Sequence, residues 1–372
     1  MKNKFFFVVN VDWFFLSHRL PIALEAKKRG YDVTIVTIET DKRAEIESYE
    51  FTFIPIPTSR AGTNIFRELK VLFFLWNLYR KNRPDIVHHV GVKPVTYGSV
   101  AAKLIQLPKV VNALSGMGYL FINKDKNMLA HKLVMFLFRF GFKNPNLRFI
   151  LQNKDDLSDI KQLNILDENH VFLIKGSGVD LDEFTYTPLP SNKRVRVLLP
   201  ARMLWDKGVG EFVAAADSLF PEYGDKAEFI LAGNVDEGNI SSISEEQLLK
   251  WEAEKHIKWI GYQNNMRSVL AEADIIVLPS YREGLPKSLI EACAIGRPII
   301  TTDVPGCREV VEEGENGLLV EVKNWEALAN AMKLLIDNPQ KRDDMGKKGR
   351  LIAENNFSIQ SVINKTFEIY KS

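Results

Sequence analysis

Short apolar runs alternate with helical stretches along this chain, and one copy of that alternation is complete enough to fix the fold class. Residues 273–302 read ADIIVLPSYREGLPKSLIEACAIGRPIITT. The run Ile275-Ile276-Val277-Leu278, bounded by Asp274 and Pro279, suits a strand buried on both faces. A polar loop, Ser280 to Gly284, follows it. Pro286 then stands where a helix begins, because its fixed φ suits the first turn and its missing N–H is not needed there. The spacing predicts a helix over Pro286–Ala294 that closes at Gly296 ahead of Pro298. Ile299-Ile300-Thr301-Thr302 is the next β-prone run. Strand, loop, helix and strand make one βαβ unit, which commits this part of the chain to an α/β parallel sheet. In such sheets ligands sit at the carboxyl ends of the strands, where the Ser280–Gly284 loop lies.

The same alternation recurs on both sides of this unit. In the first half, strands are expected at 5–10, 32–38, 51–56, 86–89, 109–113, 148–152 and 171–174, and helices at 18–29, 64–83, 97–105 and 127–142. The segment Thr185–Asn192, TYTPLPSN, is rich in turn formers and reads as a linker. A fresh pattern then opens at Val195–Leu199 and runs through strands at 229–232 and 256–260, and helices at 211–219, 245–255 and 266–272. Late helices are expected at 325–337, 341–354 and 357–370. A chain of 372 residues is long for one core. The expected architecture is therefore α/β, with two doubly wound, Rossmann-like domains. They span 1–187 and 188–356, and residues 357–372 form a helix that crosses back towards the first. Neither domain opens with a dinucleotide fingerprint: the first βα turn is Asn10-Val11-Asp12-Trp13 and the second is PARMLWDKG. That argues against a nicotinamide or flavin enzyme and leaves a ligand cleft between two such domains.

Charge is distributed unevenly. Residues 1–185 carry 26 Lys+Arg against 19 Asp+Glu, and the remainder 23 against 28, within a net charge of only +2. A basic first half suits an anionic partner such as a phosphate, a diphosphate or an acidic membrane surface, as well as an ordinary solvated face. Two cysteines without metal-type spacing, Cys293 and Cys307, fit a reducing setting. Phe5–Val9 lacks a cleavage pattern, and no apolar run reaches the roughly 20 residues that span a bilayer.

The chemistry concentrates at the βαβ unit. A helix N-terminus attracts phosphate through its free N–H groups. Glu283 lies just before the helix and Glu291 inside it. These acids would repel phosphate, but they accept hydrogen bonds from sugar hydroxyls. Arg202 and Lys207 follow the first strand of the second domain, again at a carboxyl end. Together they can hold a diphosphate, the arginine bidentate and the lysine as a point charge. Taken singly, each of these residues is equally at home on an ordinary charged surface. The combination of amides and cations for phosphates with carboxylates for hydroxyls fits a nucleotide-sugar.

Three stretches carry a family resemblance: FFLSHRLPIALEAKKRGYDV, ARMLWDKGVGEF and LPSYREGLPKSLIEACAIGRPIITTDVPGCREVVEEGENGLLV. Together they resemble glycosyltransferase family 4, retaining nucleotide-sugar enzymes with the GT-B fold, two Rossmann-like domains facing across a cleft. Glu283 and Glu291 stand at that family's E-x7-E positions. The resemblance implies that Glu283 contacts the donor sugar near its reacting carbon and Glu291 the ribose, and that Arg202 and Lys207 bind the diphosphate and support its departure. It places Gly284, Leu285, Pro286 and Lys287 under the phosphates and sugar, and Ile260, Gly261 and Tyr262 against the base. More narrowly, HHVGVKPVTYGSVAAKL and ALSGMGYLF resemble bacterial α-1,3-N-acetylgalactosaminyltransferases that extend undecaprenyl-diphosphate-linked acceptors. The chain departs from many relatives in lacking glycines at Asn10–Phe14, and in carrying Ser115 where they carry a histidine.

The expected reaction is transfer from a UDP-sugar, best matched to UDP-GalNAc, with retention and without a metal or other cofactor. The expected acceptor is a polyprenyl-diphosphate-linked saccharide on the first domain, where His18, His88, His89, Lys93 and Ser115 are the candidate contacts. The Asp180-Leu181-Asp182 spacing is read as a structural domain junction, not a metal–diphosphate site. The basic, apolar segments 64–83 and 127–143 suit peripheral contact with the anionic inner leaflet, from the cytoplasmic side, and equally suit core-covering helices. No nucleic-acid partner is expected. Alternatives are another donor, a soluble acceptor, a GT-B-fold epimerase, a binding protein without transferase activity, or a scaffold.

Overall fold

The computed structural model describes residues 2–58, 65–116, 128–162, 165–191 and 193–372. The expected positions Asn64, Lys126, Asn127 and Asn192 lie outside them. Two compact units are present: Met1–Ser177 together with Gln360–Ser372, and Gly178–Ile359.

The first unit holds seven parallel strands: β1 Lys4–Val9, β2 Asp32–Thr37, β3 Thr52–Pro55, β4 Ile86–Val90, β5 Val110–Ala113, β6 Leu147–Leu151 and β7 Val171–Leu173. Their order is β3-β2-β1-β4-β5-β6-β7. Strand order therefore reverses between β1 and β4, where the carboxyl-end crevice of a doubly wound sheet opens. The alternation of side chains explains why β1 reads as an unbroken apolar run from Phe5 to Val9. Phe6 and Val8 join the core built with Tyr79, Val95 and Phe138. Phe5 and Phe7 face the opposite way, Phe5 against Tyr31 and Tyr370, Phe7 against Phe15 and His88. With both faces covered, both alternating sets of β1 side chains are apolar.

The second unit holds β8 Val195–Pro200, β9 Ala227–Ala232, β10 Ile257–Trp259, β11 Ile275–Leu278, β12 Ile299–Thr302 and β13 Gly317–Val320, in the order β10-β9-β8-β11-β12-β13. Here the reversal lies between β8 and β11. Ile275 and Val277 enter one core with the helices Val209–Tyr223 and Trp325–Asp337, while Ile276 and Leu278 enter another with the helix Lys287–Ile295.

The boundary between the units falls earlier than the expected 187/188. Val179 and Phe184 are buried in the core of the second unit, and the expected linker is fastened there too. Thr187 donates its backbone N–H to Ile295, and buried Arg297 donates to the carbonyls of Thr187 and Pro188. Turn-forming residues looked like a free connection because these bonds come from Ile295 and Arg297, far along the chain. The final helix, Ile359–Lys371, has Gln360 onwards in the first unit.

Helix limits also differ from expectation. Asp12–His18 and Arg43–Ser48 are helices the sequence did not signal, and Val92–Ile105 begins five residues before its expected start. Pro94 lies in its first turn, where the missing N–H has no intrahelical partner to lose.

Candidate active site

The second unit brings the expected donor-site residues to one edge of its sheet. Arg202 and Lys207 leave β8, and Ser280 and Glu283 leave β11, so the two groups flank the reversal of strand order. Gly208 makes this approach possible. Its φ is +71°, and a Cβ there would lie 2.2 Å from the Pro279 carbonyl oxygen. The two loops are then joined by the Tyr281 N–H donating to the Asp206 carbonyl at 2.9 Å. A third strand end closes the group. The Glu283 N–H donates to Pro305 after β12, and a Cβ on Gly306 would lie 2.6 Å from the Glu283 and Gly284 carbonyl oxygens. The Thr302 hydroxyl donates to the Ser280 carbonyl.

Within this frame Lys207 Nζ donates to Glu283 Oε1, and the Ser280 hydroxyl donates to the same oxygen at 2.7 Å. Their side chains are only 20% and 12% exposed. A half-buried pair of this kind is screened less than a surface pair. Arg202 Nη1 donates to Asp236 Oδ2, in the segment after β9. Thus each expected cation has a carboxylate partner. Cys307, buried beside them, has its thiol pushed up to about 12, first by burial and then by the Glu283 carboxylate.

The helix Lys287–Ile295 starts one residue later than expected, with Pro286 as its N-cap at φ −71°, ψ 117°, and Gly296 at φ +87° closing it. Glu291 is buried one turn in, and Lys287 pairs with it at 2.9 Å. Burial lifts the Glu291 carboxyl above the usual carboxylate range, and Lys287 pulls against that rise. Leu285 is buried. Ile260, Gly261 and Tyr262 follow β10; the Gly233 N–H donates to the Gly261 carbonyl at 2.8 Å, and Tyr262 is exposed.

Sequence reasoning passed over Ser280 and Asp236, which bond to Glu283 and Arg202, and over Tyr281 and Glu211. The Tyr281 hydroxyl donates to Glu211 at 2.7 Å, and burial holds this phenol above its ordinary range. The only sequence signal for any of them is proximity to a strand end.

The first unit treats its expected residues differently. His88 and His89 lie inside β4 and are buried on opposite faces of the sheet. His88 Nδ1 is 2.6 Å from the Tyr370 hydroxyl. His89 is 2.8 Å from both the Tyr79 hydroxyl and Asn112 Oδ1. Asn112 Oδ1 accepts, so His89 carries its proton on Nδ1 and Nε2 accepts from Tyr79. Burial holds the His88 imidazole well below its usual value, aided by Arg19, and takes His89 down to about 4. These two neutral rings are core residues, which corrects their expected place at an acceptor surface. Lys93 lies in the first turn of Val92–Ile105 and pairs with Glu68 at 2.7 Å. Ser115 is half-buried just past β5, and His18 ends the Asp12–His18 helix, stacked on Phe14 at 4.1 Å. Lys207 and Glu283, by contrast, are bonded to each other.

Among the described residues no group of His, Cys, Asp and Glu is arranged to hold a metal ion. Asp180 instead closes a turn, its Oδ1 accepting from the Asp182 and Glu183 N–H groups. No described helix is long and apolar enough to cross a membrane.

Comparison with known proteins gives a consistent result. Residues 181–352 match the family of glycosyl transferases group 1, and residues 4–152 the glycosyl transferase 4-like family. The chain is 30% identical to an N,N'-diacetylbacillosaminyl-diphospho-undecaprenol α-1,3-N-acetylgalactosaminyltransferase of Campylobacter jejuni, over 90% of this chain and 91% of that protein. It is 24% identical to a UDP-Gal:α-D-GlcNAc-diphosphoundecaprenol α-1,3-galactosyltransferase of Escherichia coli, over 91% and 89%. Among solved structures it is similar to Anabaena HepE in complex with UDP, with a TM-score of 0.78, 17% identity and full coverage of both chains.

Proposed function

The chain belongs to the glycosyltransferases of group 1 and the 4-like family, with the GT-B fold, and from that premise we propose that it moves a hexose or N-acetylhexosamine from a UDP-sugar to a polyprenyl-diphosphate-linked saccharide, with retention. One observation carries the donor half of this reading: Arg202 and Lys207 follow β8 and Glu283 follows β11, on the two sides of the reversal of strand order, with Lys207 bonded to Glu283. The names of the Campylobacter and E. coli relatives support the acceptor half, and the first of them makes UDP-GalNAc the leading donor.

In this reaction the bond from the anomeric carbon to the diphosphate oxygen breaks, and a bond from the acceptor hydroxyl oxygen forms on the same face. The acceptor's proton passes to the departing diphosphate. Arg202, Lys207 and the N-terminus of Lys287–Ile295 stabilise the charge that develops on that diphosphate, in positions set before the reaction begins. Glu283, released from Lys207 as the diphosphate arrives, accepts hydrogen bonds from sugar hydroxyls. Glu291 accepts from the ribose. These groups make a metal dispensable. Transfer that persists in EDTA agrees with that; loss in EDTA, restored by Mn²⁺, contradicts it.

The lipid-linked acceptor is reached by peripheral contact at the cytoplasmic face. Leu69 and Phe73 are exposed on one stripe of Ile65–Asn82, next to Lys70. Phe136 is exposed on Met128–Phe142, with Lys132 and Arg139. Apolar tips among cations suit the anionic interface. Flotation with anionic liposomes tests this, and protein left behind by such liposomes defeats it. The whole reading is tested by a donor panel (UDP-GalNAc, UDP-GlcNAc, UDP-Gal, UDP-Glc and GDP-Man), scored by nucleotide release with and without a polyprenyl-diphosphate-linked acceptor. Acceptor-dependent UDP release supports it. Release independent of acceptor indicates epimerisation or hydrolysis instead.

A further inference from the structure

The two cations of the donor site are held by carboxylates of different kinds. Lys207 is paired with Glu283, a residue that the donor itself engages in the proposed reaction. Arg202 is paired with Asp236, which comes from a different strand end, 34 positions along the chain. The two members of that pair are unequally exposed: the Asp236 side chain is 8% exposed and the Arg202 side chain 40%. The buried member is also fixed by its backbone. The Asp236 N–H donates to the Ser242 hydroxyl at 3.2 Å, and its carbonyl accepts from the Asn239 N–H at 2.8 Å. The segment is bound to the strand end that carries Arg202, through the Met203 N–H donating to the Asn234 carbonyl at 2.9 Å. Glycine is required where the two strand ends meet. A Cβ on Gly233 would lie 1.9 Å from the Ala201 carbonyl oxygen.

An arginine side chain has several rotatable bonds, and fixing it on a ligand costs conformational entropy at the moment of binding. A rigid, nearly buried carboxylate at one end of the guanidinium fixes it beforehand. A guanidinium has five N–H donors in a planar fork, and one carboxylate engages at most two of them. The same arginine can therefore hold an inner carboxylate and an outer phosphate together.

From this geometry we infer that Asp236 is the positioning residue for Arg202, holding the guanidinium in place for the diphosphate of the donor and staying bonded to it when the donor binds. The inference rests on the donor-site reading above and adds to it a residue that touches neither sugar nor phosphate. It also separates the two pairs: the Lys207–Glu283 bond is exchanged for donor contacts on binding, and the Arg202–Asp236 bond persists.

A double-mutant cycle on the full chain tests this, with UDP as the probe and affinity read by calorimetry. Asp236→Asn keeps the shape of the side chain and removes its charge. It is expected to weaken UDP binding about tenfold, and to change nothing further in an Arg202→Ala background. Asp236→Glu, which keeps the carboxylate, is expected to recover part of the loss, and it supplies the same cycle if the Asn variant does not fold. UDP affinity unchanged by Asp236→Asn overturns the inference, as does an equal loss with and without Arg202. Arg202→Ala binding UDP like the unaltered protein is a distinguishable failure: it removes the donor-site reading first, and this inference with it.

Discussion

The two units carry the same kind of parallel sheet but place their polar residues differently, and whether a residue lies within a strand or past its end decides the outcome. In the second unit Arg202, Lys207 and Glu283 lie beyond the ends of β8 and β11, in loops pinned together by Gly208 and Gly306. In the first unit His88 and His89 lie inside β4, one on each covered face, bonded to Tyr370 and to Tyr79 and Asn112. Past a strand end a polar group remains available to a ligand. Within a strand of a doubly covered sheet it must find its partners in the core or destabilise the fold.

The largest expected effect that sharpens this contrast is on catalysis. Glu283→Ala should lower turnover on the order of 10²–10³-fold, the scale seen when one group that stabilises the transition state is removed, with little change in melting temperature. Steady-state kinetics beside a thermal melt will show whether both hold; near-normal turnover removes Glu283 from its role.

A change of the opposite character is expected from Gly98→Ala in the first unit. A Cβ there would lie 2.2 Å from His89 Nε2, so the variant should lose about 1–3 kcal/mol of stability through overpacking. UDP affinity of the folded protein should be unchanged. A stable Gly98→Ala protein with weakened UDP binding would invert the division of labour between the units.

Acid should also act on the first unit. The folded-state values of His88 and His89 are depressed, His89 to about 4 against an ordinary 6.5. The unfolded chain therefore binds these protons first as pH falls. Stability is complete above about pH 6.5 and declines towards pH 4, by on the order of 3 kcal/mol for His89 alone. Protection factors of the β4 amides, referred to the intrinsic exchange rate at each pH, should fall across that window. Flat protection from pH 7 to pH 4.5 would show that the rings are not held neutral.

The smallest expected effect is at Lys93. Its pair with Glu68 at 2.7 Å joins partly exposed side chains, so Lys93→Ala should cost no more than about 1 kcal/mol by urea titration. A larger loss would make the pair a structural one, and a raised acceptor KM with normal stability would support Lys93 as an acceptor contact.

These contrasts also show what the sequence could and could not reveal. Strands such as Ile275–Leu278 were legible because a strand covered on both faces can be apolar at every position. Arg202, Lys207 and Glu283 stood out as candidates because they lie within a few residues of such runs, and Glu283 lies next to a helix start marked by proline. His88 and His89 were misplaced because a histidine in a strand and one just past it look alike in sequence; Tyr79, Asn112 and Tyr370, which decide the matter, come from elsewhere in the chain. Asp236 was invisible for the same reason, since its pairing with Arg202 exists only once β8 and β9 lie side by side. The Asp12–His18 helix escaped notice because its start is fixed from outside. The buried Asp12 carboxylate accepts from the Thr40 hydroxyl and N–H, each at 2.6 Å.

The central claim is that the donor is held by the loops at the carboxyl ends of β8 to β11 in the second unit. Hydrogen–deuterium exchange with and without UDP measures this directly. Protection is expected in residues 202–208, 233–236, 260–262 and 280–291, with β4 unchanged. Protection confined to the first unit, with those four segments exchanging as they do without UDP, would contradict it.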